Sequence, residues 1–256
     1  MKILKSLIQN IKNNHIVNIK DNIDLKGLDI GNISKLLDNI SDKNKINSIN
    51  TFLFLGWGIH ESYILSNYNI YQHSIPESIS HIMVLIWQYV GLFIISHDLH
   101  HNKNPSMYES FLGRLSLLFY GGFLLEDFSK NHEKHHKFPG KSGKDPDFYD
   151  GNVLLWYLKF MIEYINIKQV IIQLLFYNLL SFMNVDDEQM ILFWLLPSVL
   201  ASIQLFFYGT FLVHEKDGII KNSNLPEWLV TFTSYNFGNH INHHKNPFIS
   251  WFNLKK

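Results

Sequence analysis

Residues 190–213 read MILFWLLPSVLASIQLFFYGTFLV, 24 consecutive positions without a formal charge. At about 1.5 Å rise per residue a helix of that length reaches roughly 36 Å, more than the roughly 30 Å hydrocarbon core of a bilayer. A second uncharged stretch, SISHIMVLIWQYVGLFIIS, covers 78–96. Shorter apolar stretches at 51–65 and 169–183 precede each of these. The pattern predicts two helical hairpins with tight outer loops near 66–77 and 184–189. The fold class expected is all-α: an integral membrane helical bundle with about four transmembrane helices.

The charges supply an orientation. The chain carries 22 Lys+Arg and 22 Asp+Glu, so its formal net charge is zero. The two outer loops, SNYNIYQHSIPE and NVDDEQ, hold no Lys or Arg; every basic residue falls in 1–50, 97–169 or 214–256. By the positive-inside rule both termini and all the histidine motifs face the cytoplasm or its equivalent. The balanced charge gives no basic surplus, so no nucleic-acid partner is expected. Residues 1–50 form a polar N-terminal extension rich in Asn, Ile and Lys, with an amphipathic helix or disorder as its two readings. Residues 51–256 form the membrane domain.

There is no cysteine, which excludes disulfides, thiolate zinc sites, iron–sulfur clusters and cysteine nucleophiles together. The chain has instead 14 histidines. Four groups lie at the inner ends of the apolar segments: His97-Asp98-Leu99-His100-His101, His132-Glu133-Lys134-His135-His136, His214 alone, and His240-Ile241-Asn242-His243-His244. On a helix, positions i, i+3 and i+4 share a face. That gathers His132, His135 and His136, likewise His240, His243 and His244, and pairs His97 with His101. Nine buried, unpaired imidazoles would cost about 9–27 kcal/mol, as much as the roughly 5–15 kcal/mol that holds a whole domain together. They stay in water or share metal. Nine exceed the six positions of one octahedral ion, so two ions with four or five imidazoles each fit the count. An all-nitrogen set favours Fe, Zn, Cu or Ni over Mg or Ca, and spacing does not choose among them.

Asp98, Glu133, Asp145 and Asp147 are candidate acceptors for the outward ring nitrogens. His100 is off the 97/101 face and is left out. His15, His60, His73 and His81 fall outside the pattern; the last three lie near the outer half and read as structural. A geometric condition follows. If 111–126 crossed the membrane once, the first two histidine groups would lie on opposite sides, so this stretch and 152–167 are placed at the interface or as re-entrant helices.

The phrases VGLFIISHDLHH (90–101), HEKHHKFPGKSGKDPDF (132–148), LPSVLASIQLFFYGTFLVH (196–214) and FGNHINHHKNP (237–247) resemble the membrane fatty acid desaturase and hydroxylase superfamily. Within it they look most like the β-carotene 4-ketolases, over about residues 50–256. The resemblance implies iron ligands at His97, His101, His132, His135, His136, His214, His240, His243 and His244. It further implies two Fe ions, dioxygen as co-substrate, electrons from a ferredoxin-type donor, and a lipid-borne carotenoid oxidised at carbon 4 of its β-ionone ring. The chain departs from the family pattern at Phe138, Val213, Glu215, Asn236, Ile241, Asn242 and Asn246, none of them an implied ligand. A fatty acyl desaturase or hydroxylase, and a non-catalytic metal-binding membrane protein, are the alternative readings.

Overall fold

The computed structural model describes residues 30–255, with side chains from Asp42 onward. Part of the polar extension, residues 1–29 and with it His15, lies outside the described residues. Ile46–Lys256 forms one compact unit. Among the described residues no β-strand forms; there is one isolated bridge, between His214 and Ile220.

Helix α1 spans Ile30–Asn67 and α2 spans Ile75–His101. Ser74 caps α2, its hydroxyl accepting from the Glu77 amide, and Pro76 occupies the first turn, where a missing N–H costs nothing. The second half of α1 packs on α2 through Trp57 and Tyr89, whose rings sit 5.8 Å apart. Near the start of α2, His81 hydrogen-bonds His60, which also binds Gln88, while His73 pairs with Glu77. These three histidines thus have hydrogen-bond or ion-pair partners outside the other histidine groups.

Helix α3, Met107–Gly121, opens with a capping box: Ser106 accepts from the Glu109 amide and Glu109 returns the bond to the Ser106 amide. It runs back along α2. The contact is close because residue 113 is glycine: a Cβ there would lie 2.8 Å from Leu99 Cβ, and Ser96 donates across the gap to the Gly113 carbonyl at 2.7 Å. Near its far end Tyr120 meets Phe93, eight residues or roughly 12 Å before the end of α2. The chain then turns at Gly122, in the left-handed conformation (φ 75°), and α4, Leu125–Lys137, follows. The 111–126 stretch therefore goes in and comes back, and His97, His101 and His132 meet.

Helix α5 spans Val153–Tyr164 and α6 spans Ile167–Phe182, capped by Asn152 and Asn166 and bent against each other by 87°. Asp187–Phe211 forms α7, with wider π-turns at Met190–Leu195 and Phe207–Phe211; α8 is Glu227–Ser234 and α9 is His240–Lys245.

Among the described residues two helices, α2 and α7, are long and apolar enough to cross a bilayer, or three spans if the bent α5–α6 pair is one. No residue of α6 is buried, and Leu174, Leu175, Leu179 and Phe182 are exposed, as are Phe52, Ile59, Ile75 and Met83 elsewhere. So much outward apolar surface needs lipid rather than water. The protein is an all-helical membrane protein.

Candidate metal centre

Helix α4 supplies its three histidines on one face. Its acidic first turn (Glu126, Asp127) and basic last turn suit the helix dipole. Lys168 at the start of α6 reaches Asp127 at 3.1 Å, which holds α4 from the other side. The histidines of α2, α4 and α9 and the one after α7 converge into two groups. His97, His101, His132 and His243 form the first, and His135, His214, His240 and His244 the second. Within each, the ligating atoms lie within 4.8 Å of one another. His136 sits at the junction, its Nε2 3.1 Å from that of His132 and 3.0 Å from that of His243, its ring stacked 4.3 Å from His244. The structure thus brings all nine predicted imidazoles together. His100 turns away to Ser129 (2.8 Å) and belongs to neither group.

The proton positions decide what these rings can hold. His214 Nδ1 donates to the Thr210 carbonyl at 2.9 Å, and His240 Nδ1 faces the Phe237 carbonyl at 3.3 Å. Each ring thereby carries its proton on the outer nitrogen, leaving a lone pair on Nε2. Yet these two Nε2 atoms lie 3.1 Å apart, and His244 Nε2 is 2.9 Å from that of His240. Lone pairs repel at that range unless a cation stands between them. Two nitrogens bound to one ion at about 2.1 Å and at right angles are separated by about 3.0 Å, the spacing found here. In the first group, His97 Nε2 is buried with no hydrogen-bond partner. The residues fit a pair of metal ions.

Burial, followed by the charge each protonated ring would impose on its neighbours, keeps most of the cluster neutral. His132, His240 and His243 are held well below the usual imidazole range, and His136 and His214 are pushed down to about 3. Neutral imidazole is the ligating form. His135 differs: burial opposes its charge, but Asp147 and Asp145 outweigh burial and raise it.

The four acidic candidates separate clearly. Asp145 is buried and accepts from His135 Nδ1 (2.9 Å), the Gly140 amide (2.7 Å) and the Asp147 amide (2.8 Å). Asp147 stands 3.7 Å from His135 and takes a hydrogen bond from Tyr164 at 2.6 Å; burial raises its carboxyl to about 6. Asp145, Asp147 and His135 also form a compact trio, but His135 turns Nδ1 to the carboxylates and Nε2 to His244, so the trio supports the second group rather than adding a third. Asp98 lies 3.7 Å from His97 Nδ1, beyond hydrogen-bond reach. It accepts instead from Ser250 (2.7 Å) and the Trp251 amide (2.9 Å). Glu133 is exposed and accepts no hydrogen bond from an imidazole. Sequence reasoning did not find the Thr210 and Phe237 carbonyls, because backbone acceptors leave no mark on side-chain identity. It also did not find the strap formed by Ser250–Leu254, which Asn236 and Asn239 grip through the Trp251 and Leu254 carbonyls.

Fold and site together define an integral-membrane metalloprotein whose centre is built from histidine boxes. The fatty acid desaturase family profile matches residues 78–190. The chain is 31% identical to a β-carotene ketolase of a Paracoccus species over 188 residues, which is 69% of this chain and 77% of that one. It is 29% identical to a β-carotene 4-ketolase of Protosiphon botryoides, over 65% of this chain and 47% of the relative. It is also 29% identical to a zeaxanthin 4-ketolase of Chlamydomonas reinhardtii, over 66% and 41%. The chain spans less than half the length of these two algal relatives. No solved structure matches. The chain belongs to the β-carotene ketolase family of oxidoreductases, within the fatty acid desaturase superfamily.

Proposed function

We propose that this chain is a dioxygen-dependent carotenoid ketolase that oxidises carbon 4 of a β-ionone ring to a ketone. The observation that carries this reading is the placement of His132. It contributes to the first imidazole group and also lines an apolar cavity of about 250 Å³ whose walls include Phe93, Phe128, Phe160, Leu205 and Phe237. A cavity of roughly 150 Å³ already accepts benzene, so this one has room for an alkylated six-membered ring and not for a whole carotenoid. The long polyene then remains in the bilayer.

His97, His101, His132, His243 and His136 would hold one iron and His135, His214, His240 and His244 the other. When bound, the two irons supply dioxygen activation beside the allylic carbon. Each oxidation consumes one dioxygen, two electrons and two protons; one oxygen atom goes to carbon 4 and the other leaves as water. Two rounds at the same carbon give a gem-diol, which loses water to the ketone. The chain's own task is to bury the ring against the cluster, exclude bulk water, and keep His135 oriented through Asp145. A ferredoxin-type protein supplies the electrons, docking on the face that carries the lysines. The arrangement further reads as about four membrane crossings with both termini on the cytoplasmic side, residues 51–256 forming the catalytic domain and 1–50 a polar extension.

Expression in a β-carotene-accumulating bacterium tests the assignment. Echinenone- or canthaxanthin-type pigments are the expected outcome. Unchanged pigment with altered lipid unsaturation would move the assignment to an acyl substrate.

A further inference from the structure

The cavity beside His132 has a second end. Ile165, Gln169, Gln173 and Leu195 line it there, and the same four residues line an open apolar groove that continues along α6 and α7 past Leu174, Tyr177 and Trp194. The polar groups around the inner cavity are mostly engaged. Ser198 and Ser202 donate to the Leu195 and Val199 carbonyls, and Tyr164 donates to Asp147. Two groups are not. Gln169 Oε1 and Gln173 Oε1 are buried without any hydrogen-bond partner, one helical turn apart on the same face of α6. The Gln169 amide cannot be turned to cure this, because its Nε2 donates to the Gly121 carbonyl at 2.8 Å. Its oxygen is fixed as an acceptor facing an apolar chamber, and an unpaired acceptor in such surroundings is costly.

A hydrocarbon ring offers these oxygens nothing; a hydroxyl group does. We infer that Gln169, with Gln173, accepts a hydrogen bond from a hydroxyl carried on the carotenoid ring, so the chamber is shaped for an oxygenated ring rather than for a purely hydrocarbon one. The inference rests on the carotenoid reading above and deepens it. The hydroxyl has two sources: it is already present on the ring when the substrate arrives, or it is the one installed at carbon 4 by the first oxidation, which must be retained for the second.

Two arms distinguish the sources, and both read ratios within one sample, compared at equal total conversion so that they do not depend on how much variant folds. In the first, Gln169→Leu and Gln173→Leu are supplied with β-carotene and the 4-hydroxy to 4-keto product ratio is measured. A rise of about tenfold, the worth of one buried hydrogen bond, identifies the installed hydroxyl. In the second, β-carotene and its 3,3′-dihydroxy analogue compete. A wild-type preference for the dihydroxy substrate that falls about tenfold in the variants identifies the resident hydroxyl. Gln173→Leu keeps the Gly121 tie intact and guards against a general loss of structure. If neither ratio moves in either variant, the two oxygens serve only a trapped water and the inference is overturned. A binding readout separates this failure from failure of the ketolase reading. His243→Ala protein, expected to lack turnover, is purified from membranes holding both pigments. Co-purification enriched in the hydroxylated pigment, lost in the Gln169→Leu/His243→Ala double variant, supports the inference even where wild type oxidises neither pigment. Equal recovery of the two pigments, together with an unmoved 4-hydroxy to 4-keto ratio, refutes it.

Discussion

Asp145→Asn removes one charge from a residue that touches no bound group, yet its effect on metal retention should be large. The carboxylate receives three N–H donors: His135 Nδ1 and the Asp147 amide on Oδ1, and the Gly140 amide on Oδ2. An asparagine has one oxygen, so its NH2 must face at least one of those donors. That forfeits a buried hydrogen bond, about 1–3 kcal/mol. The substitution also removes the negative charge that polarises the His135 ring, and carboxylate partners of this kind typically govern metal affinity by about 10–100-fold, or roughly 1.4–2.8 kcal/mol. Metal per polypeptide, measured after dialysis against graded chelator, should therefore fall at a chelator concentration about 10–100 times lower than for wild type. Glu133→Gln, at an exposed carboxylate in the same region, serves as the control and should match wild type. Equal retention by the two variants would falsify the view that Asp145 supports the second group of imidazoles.

Replacing any one of His135, His136, His243 or His244 by Ala should abolish ketone formation and lower bound metal, whereas His73→Ala, paired with Glu77 away from the cluster, should do neither; loss of activity there means the division of ligands from bystanders is wrong. The metal-free protein should lose stability as pH falls. Burial, then neighbouring rings, depresses His136 and His214 to about 3 from an ordinary value near 6.5, so between these values the unfolded chain binds protons that the folded one refuses. Unfolding temperature in detergent should drop between pH 7.5 and pH 5, and a flat profile would contradict the buried neutral cluster. Gly140→Ala should destabilise the fold by about 1–3 kcal/mol, because φ is +65° there and a Cβ would press on the Glu215 carbonyl and the Gly218 amide; an unchanged melting temperature would refute this.

The long apolar runs and the histidine spacing were legible from sequence because each is a one-dimensional pattern with a single geometric meaning. The 24-residue run became α7, and His132-x-x-His135-His136 reached the centre from one helical face, as 3.6-residue periodicity requires. The placement of 111–126 at the interface or as a re-entrant helix followed from the need for His97 and His132 to meet, and the turn at Gly122 is what lets them do so. Less legible were distinctions that depend on which side a loop folds toward. Asp145 and Glu133 are equivalent in sequence, each a carboxylate near the second box, and only the 138–148 loop, folded inward by the left-handed Gly140, separates a buried acceptor from an exposed one. Asp98 depends on folding in the same way. Its neighbour is His97, but its partners are Ser250 and Trp251, about 150 positions later.

The opposed lone pairs of His214 and His240 carry a consequence for the living cell. An interior whose lone pairs oppose one another gains stability when cations separate them, so loading should protect the chain from proteolysis. Its abundance should therefore track metal supply after synthesis, independently of transcript, so that starved cells lose ketone-bearing pigment through degradation of the enzyme while its coloured precursor is still plentiful.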